Sequence, residues 1–164
     1  MHSLTPLTAP VEPDDALRRI AFLLERERAG SYRVEAFRKA MATVRQLGPD
    51  AVREHAQSGT LQSVPGIGKS TAGVIGEAVE GALPAYLSTL QEKATPLVSG
   101  GEDLLGLIQG DCHTHSTWSD GGSPIDEMVL TAIELGQSWM VLTDHSPRLR
   151  IANGLSAERL QQQI

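Results

Sequence analysis

The sequence predicts an α + α/β chain, with an all-helical front followed by alternating strands and helices. Apolar residues recur at helical spacing through successive segments up to about Leu97. From there the pattern switches to strand, helix, strand. Proline and glycine stand where the segments meet, which sets the element ends.

"MHSLTPLTAPVEPDD" is rich in proline and small polar residues, so residues 1–13 read as a flexible leader. It has no basic stretch followed by an apolar core, so it is not read as a secretory signal. "DDALRRIAFLLERERAG" places Leu17, Ile20, Ala21 and Leu24 on one helical face, with acids at the start and Gly30 at the end. "SYRVEAFRKAMATVRQLG" does the same with Val34, Phe37, Met41 and Val44, closed by Gly48. Pro49 opens a shorter helix to about Gln57, and Ser58-Gly59 turns the chain. A helical turn, a Pro-Gly-Ile-Gly hairpin, a helix to about Glu80 and another from Pro84 follow, completing a helical domain over 14–96.

Residues 97–109 read as a linker feeding a strand, "IQGDCHTH". "SPIDEMVLTAIELG" predicts a helix with Ser123 as N-cap, Pro124 at the first position and Gly136 at the C-terminal end. Ile125, Met128, Val129, Ala132 and Ile133 form its apolar stripe. "SWMVLTDH" is the next strand, and "LSAERLQQQI" begins a further capped helix.

With 40 % hydrophobic and 21 % charged residues over 164 positions, the composition suits one or two small soluble domains. The single cysteine, Cys112, excludes an internal disulfide and a multi-cysteine metal site, and suits a reducing cytoplasm. No apolar run approaches the roughly 18 residues of a membrane span. Net charge is −6, but it is unevenly spread: nine Lys/Arg face seven Asp/Glu over 14–58, against three and seven from Asp111 onward. A mildly basic front and an acidic back fit a phosphate-facing part and a cation-collecting part, although chance variation explains as much.

"SVPGIGKSTAGVI" has the helix-hairpin-helix pattern, with Ala72 and Ile75 in register behind the turn and Leu61 and Val64 ahead. Gly66 and Gly68 let backbone approach a ligand closely, and amides at the following helix N-terminus point at an anion. The expected DNA-backbone contacts are Gly66, Ile67, Gly68, Lys69 and Ser70, giving sequence-independent, salt-sensitive binding. The bland alternative is a tight turn whose glycines serve packing only. Residues 15–92, including "SYRVEAFRKA", resemble the N-terminal domain of the X-family DNA polymerases. That resemblance puts Val74 at the position of the family's imine-forming lysine. No lyase activity is expected by that route, and no polymerase activity, because no DxD metal motif follows.

In "GDCHTHSTWSDGGS", His113 and His115 are two apart and share a strand face, with Asp111 below them. Asp120 sits in a turn from which it can fold back, and His145 ends the next strand. Three of the five histidines thus gather at two strand ends; His2 and His55 read as solvated. "GDCHTHSTWSDG" and "VLTDHSPRLRIANGL" closely resemble the first two motifs of the PHP (polymerase and histidinol phosphatase) family. The resemblance implies the first two βα units of a distorted (βα)7 barrel over 110–164, an incomplete PHP domain. It implies His113, His115, Asp120 and His145 as ligands of divalent ions (zinc, manganese or iron; two or three in a complete site). Asp111 and Asp144 are implied to orient imidazoles. Cys112 departs from the family's usual aliphatic residue and, facing away from the metal side, is expected to pack. Arg148 and Arg150 are candidate clamps for a substrate phosphate.

The remaining ligands of the family are not in these residues, so the sequence reads as the N-terminal part of a longer protein. The function implied is metal-dependent phosphoester hydrolysis at DNA ends, of 3′-5′ exonuclease or 3′-phosphatase type, with metal-activated water as nucleophile. Gapped or nicked DNA is the implied partner. The alternatives are a DNA-binding module with a vestigial barrel, and a phosphatase of a small metabolite such as histidinol phosphate.

Overall fold

The computed structural model describes residues 5–94 and 100–164. They divide into two compact units, one over Pro6–Thr95 and one within Pro96–Ile164.

The first unit contains five α-helices: α1 (Pro13–Arg26), α2 (Ser31–Leu47), α3 (Pro49–Gln57), α4 (Lys69–Val79) and α5 (Ala85–Lys93). A short 3₁₀ turn, Leu61–Ser63, precedes the hairpin. Pro13 occupies the first turn of α1 beside Asp14 and Asp15, where a missing N–H costs nothing and acids meet the positive end of the helix dipole. The helix stops four residues short of Gly30, because Arg28 takes a left-handed conformation (φ 56°). Gly48 (φ 80°) ends α2 and caps α3, with Pro49 already in the first turn of α3.

The predicted stripes form the core. Leu17, Ile20, Ala21 and Leu24 of α1 are buried with Val34, Phe37, Met41 and Val44 of α2. Val52, Ile67, Ala72, Ile75, Leu87 and Leu90 join the same cluster. Each large aliphatic side chain buried this way contributes about 1.5–3 kcal/mol. Two residues of the expected leader are anchored to the helical unit. Leu7 exchanges backbone hydrogen bonds with the Gln91 side chain (2.7 and 3.1 Å), and Val11 is buried in the core. Residues 1–4 of the expected leader, His2 among them, lie outside the described residues, as do 95–99, the last two positions of the expected helical domain and the first three of the expected linker. Within the rest of that linker Glu102–Leu105 forms a single helical turn, α6.

The second unit then runs β1 (Gly110–Thr114), α7 (Ile125–Glu134), β2 (Trp139–Leu142) and α8 (Ala157–Gln163). The strands pair in parallel, Gly110 opposite Trp139 and Thr114 opposite Leu142, with a register irregularity between Asp111 and Thr114. This is a two-stranded sheet, and no closed barrel is formed among the described residues. α7 begins one residue later than its sequence suggests. Pro124 is the N-cap with extended backbone, and the Ser123 carbonyl accepts from the Thr117 N–H. Two of the five residues of its expected stripe, Val129 and Ile133, are exposed. Ser156 does cap α8, its hydroxyl accepting from the Arg159 N–H.

Candidate metal centre and phosphate-facing hairpin

The C-terminal ends of β1 and β2 are stitched together by threonines. The Thr143 N–H and hydroxyl both donate to the Thr114 carbonyl (2.7 and 3.0 Å), and the Thr114 hydroxyl donates to the Val141 carbonyl (3.0 Å). The chain leaving each strand therefore starts from a fixed point. On one side it carries His115 and Asp120, on the other His145.

The Asp120 carboxylate bridges the two imidazoles. One oxygen lies 2.8 Å from His115 Nδ1 and the other 3.4 Å from His145 Nε2. The rings of His115 and His145 meet edge to face at 4.4 Å. One donor atom from each of the three residues falls within 4.8 Å of the others. The His115 hydrogen bond, with the nearby His145, holds the Asp120 carboxyl below its ordinary range despite some opposing desolvation. Two imidazole nitrogens and one carboxylate oxygen make a donor set suited to borderline divalent cations such as zinc.

His113 stands beside this trio and outside it. Its ring stacks on His115 at 4.9 Å, as shared-face spacing predicts, but its nitrogens are not within the cluster. Asp111 accepts the His113 backbone N–H (2.9 Å), and so braces the strand backbone without touching a ring. Asp144 likewise touches no imidazole. It accepts from the Ser116 N–H (2.8 Å), the Ser116 and Ser119 hydroxyls (2.6 and 2.5 Å) and the Gln163 amide (2.6 Å). Burial pushes its carboxyl up, but these hydrogen bonds outweigh burial and hold it low. Asp144 thus secures the loop between His115 and Asp120. Cys112, expected to pack, is an exposed thiol, because nothing among the described residues covers that side of β1. Arg148 and Arg150 are exposed, and no hydrogen bond or ion pair joins them to the trio.

Two glycines permit the folding back that brings the trio together. A β-carbon on Gly121 would sit 2.0 Å from the His115 carbonyl oxygen, and one on Gly154 only 1.9 Å from that of Ser146. Neither these glycines nor Ser116, Ser119, Gln163 and Arg159 stood out in the sequence. Loop packing has no periodicity, and the only available signal was the run of small hydroxyls in "HSTWSDG".

In the helical unit, Gly66 takes φ +96°, and a β-carbon there would lie 2.7 Å from Thr43 Oγ1. The hairpin is therefore pressed against α2. Two of the expected anion-facing amides are already used: Ile67 N–H donates to the Val64 carbonyl (3.1 Å) and Gly68 N–H to Thr71 Oγ1 (2.9 Å). The Ile67 side chain is buried, so it anchors the turn. Lys69 and Ser70 open α4 and are exposed, and the amides of its first turn have no acceptor within the helix. A groove of about 1150 Å³ runs past them, lined also by Tyr32, Arg33, Lys39 and Tyr86. Arg33 donates to the Tyr86 hydroxyl (2.6 Å), and Tyr32 is 84 % exposed. Val74 is buried. His55, read as solvated, bonds Thr60 Oγ1 through Nδ1 (2.8 Å).

Residues 12–82 match the family model of the helix-hairpin-helix domain, and residues 111–163 match that of the PHP domain. A stretch of 59 residues, 36 % of the chain, is 58 % identical to the DNA polymerase/3′-5′ exonuclease PolX of Bacillus subtilis (strain 168). It spans only 10 % of that relative's length. No solved structure matches the chain.

Proposed function

We propose that this chain, which carries a helix-hairpin-helix domain and a PHP-domain segment, belongs to a metal-dependent phosphoesterase acting on DNA ends. The observation that carries the reading is the convergence of His115, Asp120 and His145, from two strand ends, within 4.8 Å. A divalent cation held there would supply Lewis-acid stabilisation of charge on a phosphoryl group. His115 and His145 offer nitrogens and Asp120 an oxygen, and His113 is the adjacent donor for a larger centre. Asp111 and Asp144 keep the strand and loop in place.

The hairpin supplies the substrate's other handle. Lys69, Ser70 and the first amides of α4 present positive potential to a sugar-phosphate backbone without reading bases. The relative's name, with its 3′-5′ exonuclease, favours a DNA 3′ end over a small metabolite. The buried Val74 offers no amine for imine chemistry. A DNA-binding module with a vestigial PHP segment is the second reading. It is favoured by there being a single three-residue cluster among the described residues, fewer donors than a two- or three-ion centre needs.

The test is hydrolysis of 3′-phosphorylated and 3′-hydroxyl nicked duplexes with added manganese or zinc. Metal-dependent release of phosphate or nucleotide, lost in Asp120→Asn, supports the phosphoesterase. Tight binding of nicked DNA with no metal uptake and no release supports the second reading.

A further inference from the structure

We propose that Arg159 is a positioning residue, which from α8 clamps the loop bearing Asp120 to the segment behind His145 and so fixes the spacing of those two side chains. The inference rests on the metal-site reading above. The Arg159 guanidinium reaches two separate stretches of chain. Nη2 donates to the carbonyl of Trp118, two residues before Asp120, and the group lies over the Trp118 ring at 5.9 Å. Nη1 donates to the carbonyls of Asn153 (2.8 Å) and Gly154 (3.4 Å). That second stretch is itself pressed against His145: Leu155 N–H donates to the His145 carbonyl (2.6 Å), and Gly154 abuts the Ser146 carbonyl.

Local sequence prepares the arrangement. Asn153 in the left-handed region (φ 51°) turns the chain, and Ser156 caps α8, which puts Arg159 on its first turn. Only a planar fork with several fixed donors holds two loops at once; a lysine ammonium is a point charge on a flexible stem. The direction of the effect separates positioning from simple electrostatics. A guanidinium acting through its charge would repel a cation, so its removal would tighten binding; loss of a clamp loosens it.

The test uses the full chain, with cobalt(II) as the probe cation, for wild type, Arg159→Ala and Arg159→Lys, with Asp120→Asn as reference. Both Arg159 variants are expected to lose about 10–100-fold in cobalt affinity, as for other residues that orient ligands. Their cobalt absorption bands shift, and in the metal-free chain the His145 imidazole NMR signals move while those of His55 do not. Wild-type affinity and spectrum in Arg159→Ala, tighter binding, or full rescue by lysine overturns the proposal. If Arg159→Ala unfolds the second unit, Arg159→Lys decides. If the wild type takes up no cobalt, the metal reading fails by itself; the metal-free His145 signals then decide, and unchanged signals overturn the clamp.

Discussion

Asp120 engages two imidazoles at once, with His145 Nε2 3.4 Å from one carboxylate oxygen while His115 holds the other. The two residues belong to loops after different strands, so their meeting depends on how closely those loops pack. On the Asp120 side the tight point is Gly121, because a β-carbon there collides with backbone rather than with a side chain that can move aside. Gly121→Ala is expected to displace Asp120 and to lower cation affinity by at least about tenfold. A cation titration checks the first effect. Far-UV melting of the helical unit, whose contacts are untouched, is expected to stay unchanged.

Gly66→Ala imposes both a strained backbone and a contact with Thr43. The helical unit is expected to lose about 1–3 kcal/mol, seen as a lower urea midpoint at unchanged slope. Gly68→Ala, at φ −95° with open space around it, is expected to cost far less. Equal losses at the two positions contradict the account of the turn.

Lys69→Glu is expected to weaken DNA binding about equally across sequences. It also flattens the dependence of log affinity on log salt by about one unit, the mark of a lost phosphate contact. Fluorescence anisotropy with two unrelated nicked duplexes over a salt series measures this. A sequence-selective loss, or an unchanged slope, points away from backbone recognition.

Asp144 makes the second unit acid-sensitive. Its carboxyl is held below the ordinary 3.8, so its contribution to stability is present above that value and fades as pH falls through its lower folded value. The second unit is expected to lose stability on acidification below about pH 4, and Asp144→Asn to flatten that loss. Both tryptophans, Trp118 and Trp139, lie in this unit, so tryptophan fluorescence against denaturant at several pH values reads it alone.

Helix stripes and stops were the most legible part of the sequence. α2 and α3 begin and end where Gly30, Gly48 and Pro49 put them, because backbone freedom and a missing N–H act locally. α1 stops early at Arg26, because Arg28, a non-glycine residue, takes the left-handed turn that a sequence reading assigns to Gly30. At the site, strand alternation foretold that His113 and His115 share a side. It could not foretell that the trio's donor atoms come from His115, Asp120 and His145, since that depends on a chain reversal at Gly121. The roles of Asp144 and Arg159 were hidden for the same reason: their partners are carbonyls, hydroxyls and an amide of other loops, which no spacing rule connects.

Titration of the purified, chelator-treated chain with zinc or cobalt, followed by calorimetry, decides whether His115, Asp120 and His145 hold a cation together. Wild type is expected to take up a divalent cation, and His115→Ala, Asp120→Asn and His145→Ala are each expected to lose most of that affinity while the helical unit keeps its fold. Cation uptake that survives all three substitutions unchanged would contradict the metal reading.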